Sequence, residues 1–272
     1  MTALAGSPSL LVIGALWRRS LNEVLRVRGA LLPATIAPVV FLLGMSGQFG
    51  RLTGLDGFPT DSYLSWVLPL SCLQGAGFAG AATGANLARD IEQGLFDRFL
   101  VAPVGRAVLL VGPILGAVTR SLVPTTVVLV VGLALGAELP GGLLGLVALY
   151  AAAAVFCAIA GLWGVFMAVT FKTQQAGPLM QQGVFLAVFL STAYTPQPLL
   201  RGWLGEVAGL NPVTHVLELA RQATVVGIEP CAYAAGGRCA GGDGVVLRGA
   251  VPGGDWEDGA LISSPAPYPS TA

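Results

Sequence analysis

Residues 88–106 read ARDIEQGLFDRFLVAPVGR, a charged island between two long apolar runs. The run before it, residues 62–87, is SYLSWVLPLSCLQGAGFAGAATGANL, and the run after it, residues 107–137, is AVLLVGPILGAVTRSLVPTTVVLVVGLALGA. Within the island Ile91, Leu95, Phe96, Phe99 and Leu100 recur at spacings of three and four, as on one stripe of a helix, with acids and arginines around them. Pro103 ends that helix, because it lacks a backbone donor and restricts the residue before it. The pattern predicts a short amphipathic helix standing outside a membrane between two spans. Such a helix can rest on the lipid surface or plug into a partner.

The composition sets the class. The chain is 54% hydrophobic and only 10% charged, against roughly 25% charged in a soluble domain. Several runs approach or exceed the ~20 apolar residues that cross the ~30 Å hydrocarbon layer. The expected fold class is therefore all-α, a polytopic helical membrane protein. Five spans are expected, at about 30–49, 62–87, 107–136, 143–169 and 179–194. Formal charge sums to zero, so nothing points to nucleic acid.

Residues 1–28 form the first region. From Pro8 to Arg28, Leu10, Leu11, Ile13, Leu16, Trp17, Leu21, Val24 and Leu25 share one face and arginines populate the other. This predicts an interfacial helix with Trp17 near the headgroups; the alternative is a plain first turn of the next span. In the second span, Gly80 and Gly84 make a GxxxG pair. It is either a helix-packing or dimer face or a by-product of abundant glycine. In the third, Arg120 sits near enough the inner boundary to snorkel outward, the alternative being a charge in a transport pathway.

Orientation follows from basic residues near span ends. With the N-terminus inside, the inner segments hold Arg18, Arg19, Arg26, Arg28, Arg89, Arg98, Arg106 and Lys172, and the outer ones only Arg51, Arg201 and Arg221. A cytoplasmic N-terminus is expected, with the island on the same side. Residues 195–227 then face outward. They hold two short amphipathic pieces separated by Asn211-Pro212, with Glu218 and Arg221 as a possible surface pair. Lone His215 reads as a polar interface residue rather than a ligand. No metal set is expected from Cys72, Cys157, Cys231 and Cys239, which lack CxxC spacing and histidine partners.

No nucleotide-binding GxxxxGK[ST] loop is present, and Lys172 is the sole lysine. HExxH and GxSxG are also absent, no aspartate lies in an expected span, and an enzyme is not expected.

Three stretches together resemble the permease subunits of ABC-2 type transporters, particularly the membrane subunits of bacterial daunorubicin-resistance-like exporters. The first is Glu92-x-Gly94-x-Phe96-Asp97-Arg98-x-Leu100-Val101-Ala102-Pro103-x-x-Arg106. The second is Pro198…Trp203 followed by Leu210-Asn211-Pro212-Val213-Thr214. The third is Glu218-x-x-Arg221. The resemblance spans roughly residues 8–227. It implies a bacterial plasma-membrane subunit that pairs with a second permease copy or homologue and moves a hydrophobic or amphipathic cargo outward. A separate ABC ATPase would bind ATP and Mg2+, this chain binding no cofactor. The island would be the coupling helix, anchored by Phe96, Phe99 and Leu100, with Glu92, Asp97 and Arg98 setting register. A membrane scaffold without transport is the alternative of another class.

Such permeases usually carry a sixth span after the Asn-Pro motif. Residues 228–272 are instead rich in Gly, Ala and Pro, with no ~20-residue apolar window. The expectation is a shifted reading frame or truncated gene, which would leave an inactive permease; the alternative is a genuine disordered tail.

Overall fold

Apolar side chains occur all round residues 63–88, and a helix of that kind belongs in the middle of a bundle. A computed structural model of the chain describes residues 8–26, 32–54, 60, 62–96, 105–195 and 202–224. Among them it shows helices and short 3-10 turns and no strand. The helices are α1 (Pro8–Arg26), α2 (Leu32–Phe49), α3 (Tyr63–Glu92), α4 (Arg106–Ala134), α5 (Gly142–Phe171), α6 (Gly177–Phe189), α7 (Trp203–Leu210) and α8 (Pro212–Thr224). Helix α3 is the axis and packs against α2, α4, α5, α6 and α8. Its start is capped by Ser62, whose side chain accepts from the Ser65 N–H, satisfying one of the orphan donors of a first turn.

The polytopic class is carried by α4 and α5. Val108–Ala134 and Gly142–Phe171 are each long and apolar enough to cross a membrane. Their outward faces are apolar too: Val130 on α4 and Leu144, Val147, Leu162 and Phe166 on α5 are more than half exposed. Water would penalise apolar patches of that size, whereas acyl chains do not.

Two glycine seams set helix spacing. A Cβ at Gly80 would overlap the carbonyl of Cys157, and one at Gly84 would overlap the backbone of Gly164. The Gly80/Gly84 face is therefore filled by α5 of the same chain. The other seam is Gly112 and Gly116 of α4, where a Cβ would collide with Leu16 and Ser20 of α1. Helix α1 is thus held edge-on against α4, and Trp17 Nε1 donates to Thr119 Oγ1 at 3.1 Å.

Two expectations change. The island does not begin a new helix at Ala88, because α3 continues through Glu92. Leu87 and Ala88 are buried, and no breaker precedes Gly94. Helix α6 stops at Phe189 and residues 190–195 turn, where helix was expected through Tyr194. Thirteen residues make about 20 Å, short of the hydrocarbon layer. Asp97, Arg98, Phe99, Leu100, Pro103, Pro198 and the tail 228–272 lie outside the described residues.

Candidate functional site at the two ends of helix α3

The inner end of α3 stops for a local reason. Gly94 has φ +69, a left-handed conformation that glycine adopts without steric cost. The Gln93 N–H donates to the Arg89 carbonyl and the Gly94 N–H to the Ile91 carbonyl, each at 3.0 Å. The last turn is closed and the chain leaves in a new direction. Leu95 and Phe96 resume a helical turn. Phe96 is half-buried and packs with Ile91 against the main core. Arg106 opens α4 behind Gly105, in extended conformation at its N-cap.

Long-range contacts clamp this end. Arg19 Nη2 donates to both carboxylate oxygens of Asp90 at 2.8 Å, tying α1 to α3. Glu92 Oε2 accepts from the backbone N–H of Gln174 at 3.2 Å, tying the α5–α6 connection to α3. That connection begins at Lys172, whose φ of 53 makes it the C-cap of α5. The lone lysine is thus a capping residue, with no glycine-rich phosphate loop around it.

Arg120 does not follow the expected outward route. It is 6% exposed and its Nη2 donates to Thr83 Oγ1 at 2.9 Å. A hydroxyl on the neighbouring helix accepts from it, and the guanidinium stays inside the bundle.

The outer end is built around Arg221, which is 2% exposed on α8. Nη1 donates to the Thr192 carbonyl at 2.7 Å and Nη2 to the Ala193 carbonyl at 2.6 Å. Those carbonyls belong to the turn after α6 and have no helical partner of their own. Nη1 also meets Glu218 Oε1 at 3.2 Å, which accepts from Thr192 Oγ1 at 2.8 Å. The guanidinium carbon lies 3.6 Å from the Trp66 ring centroid, a cation–π arrangement, and Tyr63 Oη donates to the Tyr194 carbonyl at 3.3 Å. The expected surface pair is therefore a buried clamp joining α3, α6 and α8. Of the ion pair it is Glu218 that reaches solvent, its side chain 44% exposed.

The Asn211-Pro212 step has a plain physical role. Asn211 Oδ1 accepts from the Val213 N–H at 3.0 Å, capping α8, and Pro212 occupies its first position, where no donor is lost. Asn211 Nδ2 donates to the Ala187 carbonyl at 2.7 Å. Trp203 is 68% exposed on α7 and takes no part in the clamp. His215 is exposed.

Sequence reasoning reached Glu92, Gly94, Phe96, Asn211, Pro212, Glu218 and Arg221. It did not reach Arg19, Asp90, Thr83, Gln174, Thr192 or Trp66 as site members. Asp90 and Arg19 are 71 positions apart, and nothing local marks the pairing. The Gly112/Gly116 pair was visible as a second GxxxG.

Comparison with known proteins bears on the whole arrangement. The daunorubicin resistance ABC transporter permease protein DrrB1 of Streptomyces coeruleorubidus is 27% identical over 193 residues, 71% of this chain and 67% of its own length. The probable doxorubicin resistance ABC transporter permease protein DrrC of Mycobacterium tuberculosis is 28% identical over 218 residues, 78% of this chain and 75% of its own. The family model for ABC-2 type transporters matches residues 12–225, from α1 through both ends of α3 to the last turn of α8. The chain belongs to the ABC-2 type transporter family, as a membrane subunit of that family.

Proposed function

We propose that this chain is the permease of an ABC exporter, driven by a separate ATPase that docks on the segment after Gly94. The observation that carries the reading is the end of α3. One core helix runs to a left-handed glycine and is clamped just before it to α1 through Arg19–Asp90 and to the α5–α6 connection through Glu92–Gln174. A push on residues 95–105 reaches three elements of the bundle at once. Rigid elements joined by charged clamps transmit displacement where a loose loop would absorb it.

In this reading the segment faces the cytoplasm, as the distribution of arginines favours. Phe96, Phe99 and Leu100 are the apolar anchors that a groove of the ATPase would recognise, with Glu92, Asp97, Arg98 and Arg106 as its polar contacts. The partner binds and hydrolyses ATP with Mg2+. This chain moves with a second permease copy or homologue, and its cargo is hydrophobic or amphipathic. The relatives are named for daunorubicin and doxorubicin resistance, which supports export of a drug-like amphiphile from a bacterial cell.

Co-purification of the tagged full chain with its candidate ATPase from membranes tests the reading. The expected result is that the parent retains the ATPase and that Phe96→Asp and Arg98→Glu each reduce retention at least tenfold, the effect of losing about 1.4 kcal/mol at an anchor. Phe96 also packs on the core, so Phe96→Asp is read beside Phe96→Leu, which keeps the apolar contact and should keep the partner. A folded parent that never retains the ATPase would favour the scaffold. A parent that retains it equally with both variants removes the segment from the coupling role.

A fourth substitution probes the turn. Nothing lies within 4 Å of a Cβ at Gly94, so Gly94→Val carries a pure backbone cost of about 1–2 kcal/mol. Gly94→Asn should cost less, because asparagine tolerates the left-handed region. The expected order in thermal unfolding is parent, then Asn, then Val.

A further inference from the structure

We propose that the cleft between α1, α3 and α4 binds one phosphate group, carried by the headgroup of an anionic membrane lipid or free in solution. The inference rests on the membrane reading of the fold and not on the ATPase. The cleft has a volume of about 40 Å3 and is lined by Arg19, Ser20, Thr83, Asn86, Asp90 and Arg120 among its polar groups. A single water needs ~10–15 Å3 on the same measure, so about three oxygen-sized groups fit, enough for the two non-bridging oxygens of a phosphodiester or three of the four oxygens of free phosphate.

The lining chemistry selects an anion. Two guanidiniums, the Asn86 amide and the Ser20 hydroxyl can donate, whereas the Thr83 hydroxyl donates to the Ala79 carbonyl and accepts from Arg120. Two arginines against one aspartate leave the lining at a formal +1. The carboxylate of Asp90 is held by Arg19 at 2.8 Å through both oxygens, so an entering anion meets a neutralised acid. Arginine presents a planar fork that matches phosphate oxygens. Arg120, Thr83 and Ser20 are each more than nine-tenths buried and form the floor, while Asn86 is exposed and Arg19 and Asp90 are partly so, forming the mouth.

The position suits a lipid headgroup. Thr83 and Asp90 are seven residues apart on α3, about 10 Å of helix, so the cleft runs from the charged end of α3 into the bundle. The headgroup zone is about 5–7 Å deep on each side of the hydrocarbon, so a headgroup phosphate would enter at Asn86 and Asp90 and reach down toward Arg120. Helix α1, amphipathic and seated on Gly112 and Gly116, forms the outer wall. A bound phosphate would join α1, α3 and α4 at the level of the clamp that ends at Gly94.

The test is thermal unfolding of the full chain in nanodiscs of phosphatidylcholine alone and of phosphatidylcholine with phosphatidylglycerol, and in detergent with inorganic phosphate added. At about 100 times the dissociation constant a site of this kind raises Tm by about 5–10 °C. The expected result is a rise with phosphatidylglycerol that Asn86→Asp abolishes, since it places a like charge at the mouth without changing size. Arg120→Gln should abolish it too. Arg18→Gln removes an exposed charge outside the cleft and should keep the rise. If Arg120→Gln does not fold, Asn86→Asp decides alone. A rise with inorganic phosphate, lost in Asn86→Asp, upholds the phosphate site and makes its source soluble. No rise with either probe, or a rise that survives Asn86→Asp, overturns the proposal.

Discussion

Replacing Arg221 with methionine should cost the fold about 3–5 kcal/mol, since two buried carbonyls lose their donors at about 1–3 kcal/mol each and a cation–π contact is lost with them. The methionine would fill much of the space. It would leave the Thr192 and Ala193 carbonyls without the donors that now sit at 2.7 and 2.6 Å. It would also remove the cation from the face of Trp66. Buried carbonyls without donors are penalised individually, and here two are adjacent. At about 2–4 °C per kcal/mol for a chain of this size, Tm should fall by roughly 10 °C, read by thermal unfolding of the detergent-solubilised chain. Arg221→Lys should recover only part of the loss, because a single ammonium cannot fork to both carbonyls and lie flat on the indole. Glu218→Gln should cost about 1 kcal/mol, since an amide oxygen can still accept from Thr192 Oγ1. A methionine variant that melts with the parent would show that the turn after α6 finds other donors.

The same residues show where sequence reasoning reaches and where it stops. Helices α4 and α5 were legible because their apolar runs exceed the hydrocarbon thickness, a property of each segment by itself. Asn211-Pro212 was legible for a similar reason, an asparagine followed by proline being a local sign of a break between two helices, whereas the sequence pattern puts Gly94 inside a helix running to Pro103 and it instead follows the end of α3 with φ +69. The early end of α6 was not. Residues 177–194 have no proline or charge after Pro178 to stop the helix, and the turn is held by a guanidinium some 28 or 29 positions later. The charges at Arg89, Asp90 and Glu92 misled in the opposite direction. They read as the start of a separate helix, whereas Asp90 and Glu92 belong to the end of α3 and have distant partners. Arg120 was placed by its distance to the boundary. The hydroxyl of Thr83, on another helix, decided its direction.

Gly84→Ala should be nearly as damaging as the loss of Arg221, although it adds a single methyl. The added carbon would overlap the backbone of Gly164, not a side chain that can rotate away. Relief requires α3 and α5 to separate along a seam that also holds Gly80 against Cys157 and Ala160. Overpacking of this kind costs about 1–3 kcal/mol when side chains can adjust, and a backbone neighbour puts Gly84 at or above the top of that range. The effect extends beyond stability. Glu92 lies eight residues further along α3, about 12 Å, and its bond to the Gln174 N–H is already 3.2 Å long. Separating the helices at Gly84 should lengthen or break it, loosening one of the two clamps before Gly94. The comparison variant is Gly14→Ala on α1, where nothing lies within 4 Å of the added carbon. There alanine should be neutral or stabilising by up to about 1 kcal/mol, through helix propensity alone. Thermal unfolding of the two variants side by side separates the causes. A large loss for Gly84→Ala with none for Gly14→Ala locates the damage in the α3–α5 contact. Equal behaviour would mean that the seam has more room than the structure shows, and that the position of α3 is fixed by its two charged ends.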